Sequence, residues 1–169
     1  MKGRKRKFWS GECVHVYQRT INGYIMFYDL EDFLAFYTMV SVYSYKYKIQ
    51  IIELCLMVDH FHILLKAEVP EDMASFMRDF SSAYVMNFNA GTGRSGQLLQ
   101  KSYGSAPKRG DKKVRSAIIY VGNNPVEKHL CGKAEEYRWN FLAYAVSSHP
   151  FSDPLIIRQA SKPLKQAIK

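Results

Sequence analysis

The sequence predicts an α+β fold: a ferredoxin-like β-α-β-β-α-β antiparallel sheet with helices packed on one face, plus a C-terminal helical extension. Three observations predict it. A segment near the start of the chain alternates apolar and polar residues. A nearly continuous apolar segment and a His-containing segment form a hairpin in the middle, and two stripes of aromatic residues recur at helical spacing. At 169 residues, 47% of them hydrophobic, the chain is long enough for one domain with its own core.

The first strand and helix are the best defined elements of the N-terminal half. Cys13 to Arg19 alternates apolar and polar residues, which indicates a half-buried strand. Asn22-Gly23 then favours a tight turn, and Tyr24 to Tyr28 either continues the pairing or packs beneath that turn. Asp29 to Tyr47 is predicted to be helical, because acidic residues open it and aromatic residues follow every three or four positions. We expect that aromatic stripe to belong to the core rather than to a base-stacking surface.

A hairpin and a second helix follow. Ile49 to Met57 is apolar enough for a strand buried on both faces, Val58-Asp59 turns the chain, and His60 to Lys66 pairs back. The second helix begins at Pro70 and is expected to end at Asn89-Ala90-Gly91.

The last part of the core is a basic loop and a third helix. A short strand is expected at Gln97 to Tyr103 within the loop. The helix is expected over Asp111 to Asn123, because Asn124 precedes Pro125 and a residue before proline disfavours helical geometry. We divide the single domain 1–169 into a basic arm at 1–11, a core at 12–125, and a C-terminal extension and tail at 126–169.

Charge points to a polyanionic partner. Lys and Arg number 24 against 15 Asp and Glu, a formal net charge of +9. Three separated cysteines without a C-x-x-C pair exclude a disulfide framework or a cysteine zinc site, and the absence of a long apolar run predicts a chain without a membrane span, in the cytoplasm. Candidate phosphate contacts share positive charge and, apart from the first, a place in or just after the basic loop: Arg19, Arg94, Lys101, Lys108, Arg109, Lys112, Lys113 and Arg115. The alternative is a basic loop that only contacts solvent. The basic arm is likewise either a phosphate-contacting arm or an ordinary solvated terminus.

Two histidines carry the strongest chemical signal. His60 and His62 are two residues apart in a predicted strand, so both project from one face. Neutral imidazoles placed in this way can share a divalent cation. The alternative is a pair of histidines that lines a surface or core position.

The segment around them, MVDHFHILLK, resembles the HUH motif of the single-tyrosine HUH transposase superfamily, and more narrowly the REP-associated tyrosine transposases. The resemblance covers roughly residues 13–145. His15-Val16-x-x-Arg19 resembles the first strand of that family, and the segment from Ile119 to Val126 resembles its Tyr-Ile-x-x-Asn-Pro-Val motif. Phe76 to Asn89, Gly96-Gln97 and Tyr137-x-Trp139 match more loosely.

The resemblance implies an activity and a site. Members of this family cleave single-stranded DNA with a tyrosine and form a 5′-phosphotyrosine, which allows strand transfer. Tyr120 matches the nucleophile, His60 and His62 match the metal ligands, and Asn124 matches a third ligand for Mg²⁺ or Mn²⁺. The implied partner is single-stranded or hairpin DNA, the implied location is the bacterial cytoplasm at the nucleoid, and the chain is either a monomer or a homodimer.

Three departures from the family pattern motivate a second hypothesis. Val58-Asp59 replaces Pro-Asn, Gly122 stands where a polar residue is usual, and Tyr137-Arg138-Trp139-Asn140 lacks a Ser-Ser pair. A domesticated DNA- or RNA-binding module with the same fold and no turnover is therefore the alternative. An RNA-recognition sheet is a weaker third hypothesis, because the predicted central strand offers aliphatic residues instead of aromatic ones.

Overall fold

A computed structural model describes residues 8–100 and 102–146, with no side-chain description for Val146. Four strands, β1 (Cys13–Arg19), β2 (Ile49–Met57), β3 (His60–Ala67) and β4 (Gly104–Lys108), form an antiparallel sheet in the order β2-β3-β1-β4. Four α-helices accompany it: α1 (Leu30–Lys46), α2 (Pro70–Thr92), α3 (Asp111–Glu127) and α4 (Phe141–Val146). The predicted β-α-β-β-α-β unit is confirmed.

The two faces of the sheet receive different helices. Val14 and Val16 of β1 join a large apolar cluster that includes Phe36 of α1 and Phe80 of α2. Cys13, whose side chain points the opposite way, packs in a separate small cluster with Leu64 and with Ala117 of α3. Helices α1 and α2 therefore cover one face, as predicted, and α3 crosses the other.

The helix ends follow their local sequence. Asp29 is the N-cap of α1, and its side chain accepts a hydrogen bond from the Asp32 amide at 3.1 Å. Helix α2 runs to Thr92, slightly beyond the predicted Asn89-Ala90-Gly91 stop, because the left-handed cap falls on Gly93.

The end predicted for α3 is wrong, because the helix continues through Pro125 to Glu127. Proline has no N–H, so the Val121 carbonyl loses its usual helical donor. The Asn124 side chain compensates: its Nδ2 donates to the Tyr120 carbonyl at 2.8 Å and lies 3.4 Å from the Val121 carbonyl. Gly122 does not interrupt the helix either.

The predicted strand Gln97 to Tyr103 is also wrong in position. Within it, Leu99 makes an isolated bridge with Thr20, and the fourth strand lies further along, at Gly104–Lys108. The cause is tertiary, because β1 has an open edge that either segment of the loop could occupy. Among the described residues, no helix is long and apolar enough to cross a membrane.

Candidate active site

The site is built on the sheet face that α3 crosses. In the β1–β3 register His62 lies opposite Tyr17 and His60 lies opposite Arg19. In the β2–β3 register the same histidines lie opposite Cys55 and Met57. Because side chains alternate along a strand, these residues share one face, and the same-face prediction for His60 and His62 is consistent with it.

Each histidine is held through one ring nitrogen. His60 Nδ1 donates to Asp59 Oδ1 at 2.5 Å. His62 Nδ1 lies 2.9 Å from His15 Nε2, so one of these nitrogens donates to the other. The His60 and His62 ring centroids are 5.1 Å apart and nearly perpendicular. Where Nδ1 of both rings carries the proton, both Nε2 atoms keep a lone pair for a ligand.

The histidines are neutral at neutral pH. Burial, together with the charge of Lys108, lowers the pKa of His15 to about 4. Burial and the neighbouring imidazoles lower the pKa of His62 to about 3. Burial also lowers the pKa of His60, although Asp59 acts in the opposite direction. Neutral imidazole is the form that binds a metal ion.

Tyr120 lies beside the rings of His15 and His62. It belongs to α3, its side chain is 49% exposed, and its ring centroid lies 6.0 Å from that of His62 in an edge-on arrangement. The centroid of the His15 ring is 5.8 Å away. The phenol and the imidazoles thus form one cluster of rings, exposed to solvent at Tyr120.

Asn124 follows Tyr120 by one helical turn and is buried. Its amide nitrogen is turned to the helix backbone, as described above, which leaves Oδ1 as the group free to act as a ligand. The described residues contain no group of three or more His, Cys, Asp and Glu side chains that could hold a metal ion. Two imidazoles with an amide oxygen nevertheless suit a divalent cation, so the donor set fits the group implied by the resemblance.

The family is decided by sequence. The profile of the family "Transposase IS200 like" matches residues 13–124, about two thirds of the chain, including every residue of the site described above. The chain belongs to the IS200-like transposases. No curated protein matches it.

Solved structures show that this transposase shares its fold with relatives of low sequence identity. A REP-associated tyrosine transposase bound to a REP hairpin is 14% identical, with a TM-score of 0.74 and 96% of each chain covered. A candidate transposase from Deinococcus radiodurans is 18% identical, with a TM-score of 0.50, and covers 73% of this chain and 97% of its own. The predicted resemblance to the REP-associated proteins is thus confirmed for the fold.

The predicted phosphate contacts of the transposase fall into separate places. Arg19 is exposed beside His60. Lys108 and Arg109 line a cleft of about 560 Å³ with Lys66 and Trp9, and Arg109 Nε donates to Glu12 at 2.6 Å. The first turns of α3 carry the exposed residues Lys112, Lys113 and Arg115.

Arg94 and Lys101 are the other two predicted phosphate contacts. Arg94 lies away from this face, with its guanidinium 4.8 Å from the ring centre of Tyr24. Lys101 and the arm residues 1–7 lie outside the described residues, as does the tail 147–169.

Sequence reasoning missed the partners of the histidines. His15 and Tyr17 have the same two-residue spacing as His60 and His62, which indicates a shared face. That spacing could have identified His15 and Tyr17 as candidates for the site. Their contact with His62, however, depends on the β1–β3 register, which joins residues 47 positions apart.

Proposed function

We propose that this IS200-like transposase cleaves and rejoins single-stranded or hairpin DNA in the cytoplasm, with Tyr120 as the nucleophile and a divalent cation at His60 and His62. The observation that carries the proposal is the position of the half-exposed Tyr120 ring, whose centroid lies 6.0 Å from that of His62. The low exposure of the two histidines beneath it supports a role in the site rather than on the surface.

In the proposed reaction the Tyr120 oxygen attacks the scissile phosphorus and loses its proton to solvent. The P–O3′ bond breaks, the departing 3′-oxygen takes up a proton, and the DNA 5′ end remains as a phosphotyrosine. A 3′-hydroxyl from a second strand can reverse these steps, because the covalent link conserves the broken bond. When bound, Mg²⁺ or Mn²⁺ would polarise the phosphate and offset its developing charge.

The residues of the chain do the positioning. His60 and His62, with Asn124 as third candidate, would hold the cation through Nε2 atoms and an amide oxygen. Asp59 hydrogen-bonds to the His60 ring and His15 to the His62 ring, which fixes the orientation of both rings. The helix holds Tyr120 at a fixed height above them, which reduces the entropic cost of bringing the phenol to phosphorus.

A covalent-adduct assay tests the proposal. The full chain is incubated with a set of single-stranded and hairpin oligonucleotides and Mn²⁺, and adducts are separated on denaturing gels. We expect a band that disappears in Tyr120→Phe and persists in Tyr24→Phe, because Tyr24 is a comparably exposed tyrosine (44%) on another part of the surface. Binding without an adduct across the whole set would instead support the domesticated DNA- or RNA-binding module.

A further inference from the structure

A second exposed tyrosine borders the same cluster of rings. Tyr17 lies on β1, and its ring centroid is 5.6 Å from that of His15 and 6.0 Å from that of His62. Its side chain is 43% exposed, although the neighbouring β1 residues Val16 and Gln18 are buried. A phosphate placed between Tyr120 and His62 would therefore have the Tyr17 ring close by.

The backbone of β4 supports this ring. Tyr17 lies opposite Gly104 in the β1–β4 register. A Cβ atom on Gly104 would stand 2.1 Å from Tyr17 Cζ and 2.5 Å from both Cε atoms, which is impossible without moving the ring. Any residue other than glycine at position 104 would displace Tyr17.

Backbone conformation does not explain this glycine. Gly104 does not have positive φ, unlike Gly11, Gly23 and Gly93, and those three have nothing within 4 Å of an added Cβ. A glycine inside a strand weakens the strand and commonly marks a place where another group approaches closely. Here the approaching group is the Tyr17 ring, so the glycine costs β4 some stability and leaves room for an aromatic ring beside His15 and His62.

We propose that Tyr17, supported by Gly104, is a stacking platform for an unpaired base next to the scissile phosphate, which makes it a substrate-positioning residue. The proposal rests on the proposed function. Every nucleobase has a face that can stack on an aromatic ring, so such a platform holds a single strand with little sequence preference. Arg19, two residues further along the same strand face, is exposed and suited to a neighbouring phosphate.

The basic loop also contains an aromatic residue, but it packs elsewhere. Tyr103 contacts the large apolar cluster that includes Phe36 and Phe80. Tyr17 itself could have a different role, because a phenol this close to His62 could be the nucleophile in place of Tyr120. The Tyr17→Phe variant separates the two roles, since it keeps the ring and removes the hydroxyl.

The test measures binding without cleavage. In a Tyr120→Phe background, the full chain is titrated with 20-nucleotide single strands that carry one 2-aminopurine, moved one position at a time. We expect fluorescence quenching at one position. In Tyr17→Leu the quenching should be lost and the affinity should fall about 5- to 150-fold, the range for one stacked base. Tyr17→Phe should bind within two-fold of the parent, and so should Tyr24→Leu, the matched exposed control.

Two further measurements sharpen the result. With an abasic site at the quenched position, the parent and Tyr17→Leu should bind equally. Gly104→Ala should weaken binding as Tyr17→Leu does, and the double variant should be no weaker, because both changes remove the same platform. Thermal unfolding checks that each variant is folded, and Tyr17→Leu carries the test if Gly104→Ala does not fold.

Two outcomes overturn the proposal. The first is equal affinity of Tyr17→Leu and the parent, with unchanged quenching at every position. The second is loss of the covalent adduct in Tyr17→Phe and its retention in Tyr120→Phe, which would make Tyr17 the nucleophile. Because stacking is measured by binding and the transposase reaction by adduct formation, each can fail while the other holds.

Discussion

The two faces of the sheet bury different kinds of side chain. Under α1 and α2 the buried residues are aromatic and aliphatic, and rings such as Phe36 and Phe80 meet edge to face at 5.0 Å. Under α3 the apolar clusters are small, and the central positions belong to His15, His60 and His62. The comparison teaches that one face buries mainly apolar side chains, which supply stability, whereas the other gives part of that stability up to bury polar ones.

The largest effect is expected on the face of α1 and α2. Phe80→Ala removes a fully buried ring that contacts Phe36 and Phe61, and should lower the free energy of unfolding by about 3–5 kcal/mol. Urea denaturation measures it. His62→Ala, on the other face, is the matched comparison and should cost clearly less. Equal losses for the two variants would remove the proposed division between the faces.

A buried carboxyl at the edge of the sheet gives the next largest effect. Glu53 lies at an irregular position of β2, and burial raises its pKa to about 7, although the backbone amides of Leu54 and Phe141 donate to it. The folded state therefore favours the protonated acid, and its stability is lost as the pH rises from about 4.5 through 7.

Glu53→Gln should therefore unfold like the parent near pH 4 and be more stable above pH 7, by about 3 kcal/mol. The difference between the two denaturation curves, measured from pH 4 to 8, isolates this one group. A difference that stays constant with pH would contradict a raised pKa for Glu53.

A smaller effect is expected at Asp59, which contacts the proposed metal ligand His60. Asp59→Asn keeps the shape of the acceptor for His60 Nδ1 but removes its charge, so we expect Mn²⁺ affinity to fall about ten-fold. Titration calorimetry on the protein without DNA measures it. Asp72→Asn, in the first turn of α2, is a control that should leave the affinity unchanged. An unchanged affinity in Asp59→Asn would show that the carboxylate only ends the turn.

The smallest effect per residue is expected at the cleft beside the start of α3. Lys108→Ala should weaken binding of single strands of any sequence alike and lower the slope of log affinity against log salt by about 0.7, one phosphate contact. Lys46→Ala, on α1 at the opposite face, is the matched control. A sequence-dependent loss in Lys108→Ala would indicate a contact to a base instead.

Local patterns predicted the strands β1 to β3, the two crossover helices and the pairing of His60 with His62 on one face, because each depends on neighbours within a few residues. They failed at Pro125, where the Asn124 side-chain amide replaces the missing backbone donor and the helix continues. They also failed at β4, because two segments of the loop can pair with the open edge of β1. The support for the site was also hidden, since the contact of His15 with His62 and that of Tyr17 with Gly104 depend on strand register.

Asn140 ties together parts of the chain that are distant in sequence. It is fully buried, bridges to Cys55 at the outer edge of β2, and donates from Nδ2 to the Gly122 carbonyl of α3 at 2.8 Å. Beside it, the Tyr137 hydroxyl donates to the Leu56 carbonyl. Asn140 and Tyr137 lie beyond residue 124, where the family match ends, whereas their partners lie within it. The C-terminal extension thus connects α3, the helix that carries Tyr120, to the outer edge of the sheet, so the position of that helix depends on residues outside the family match.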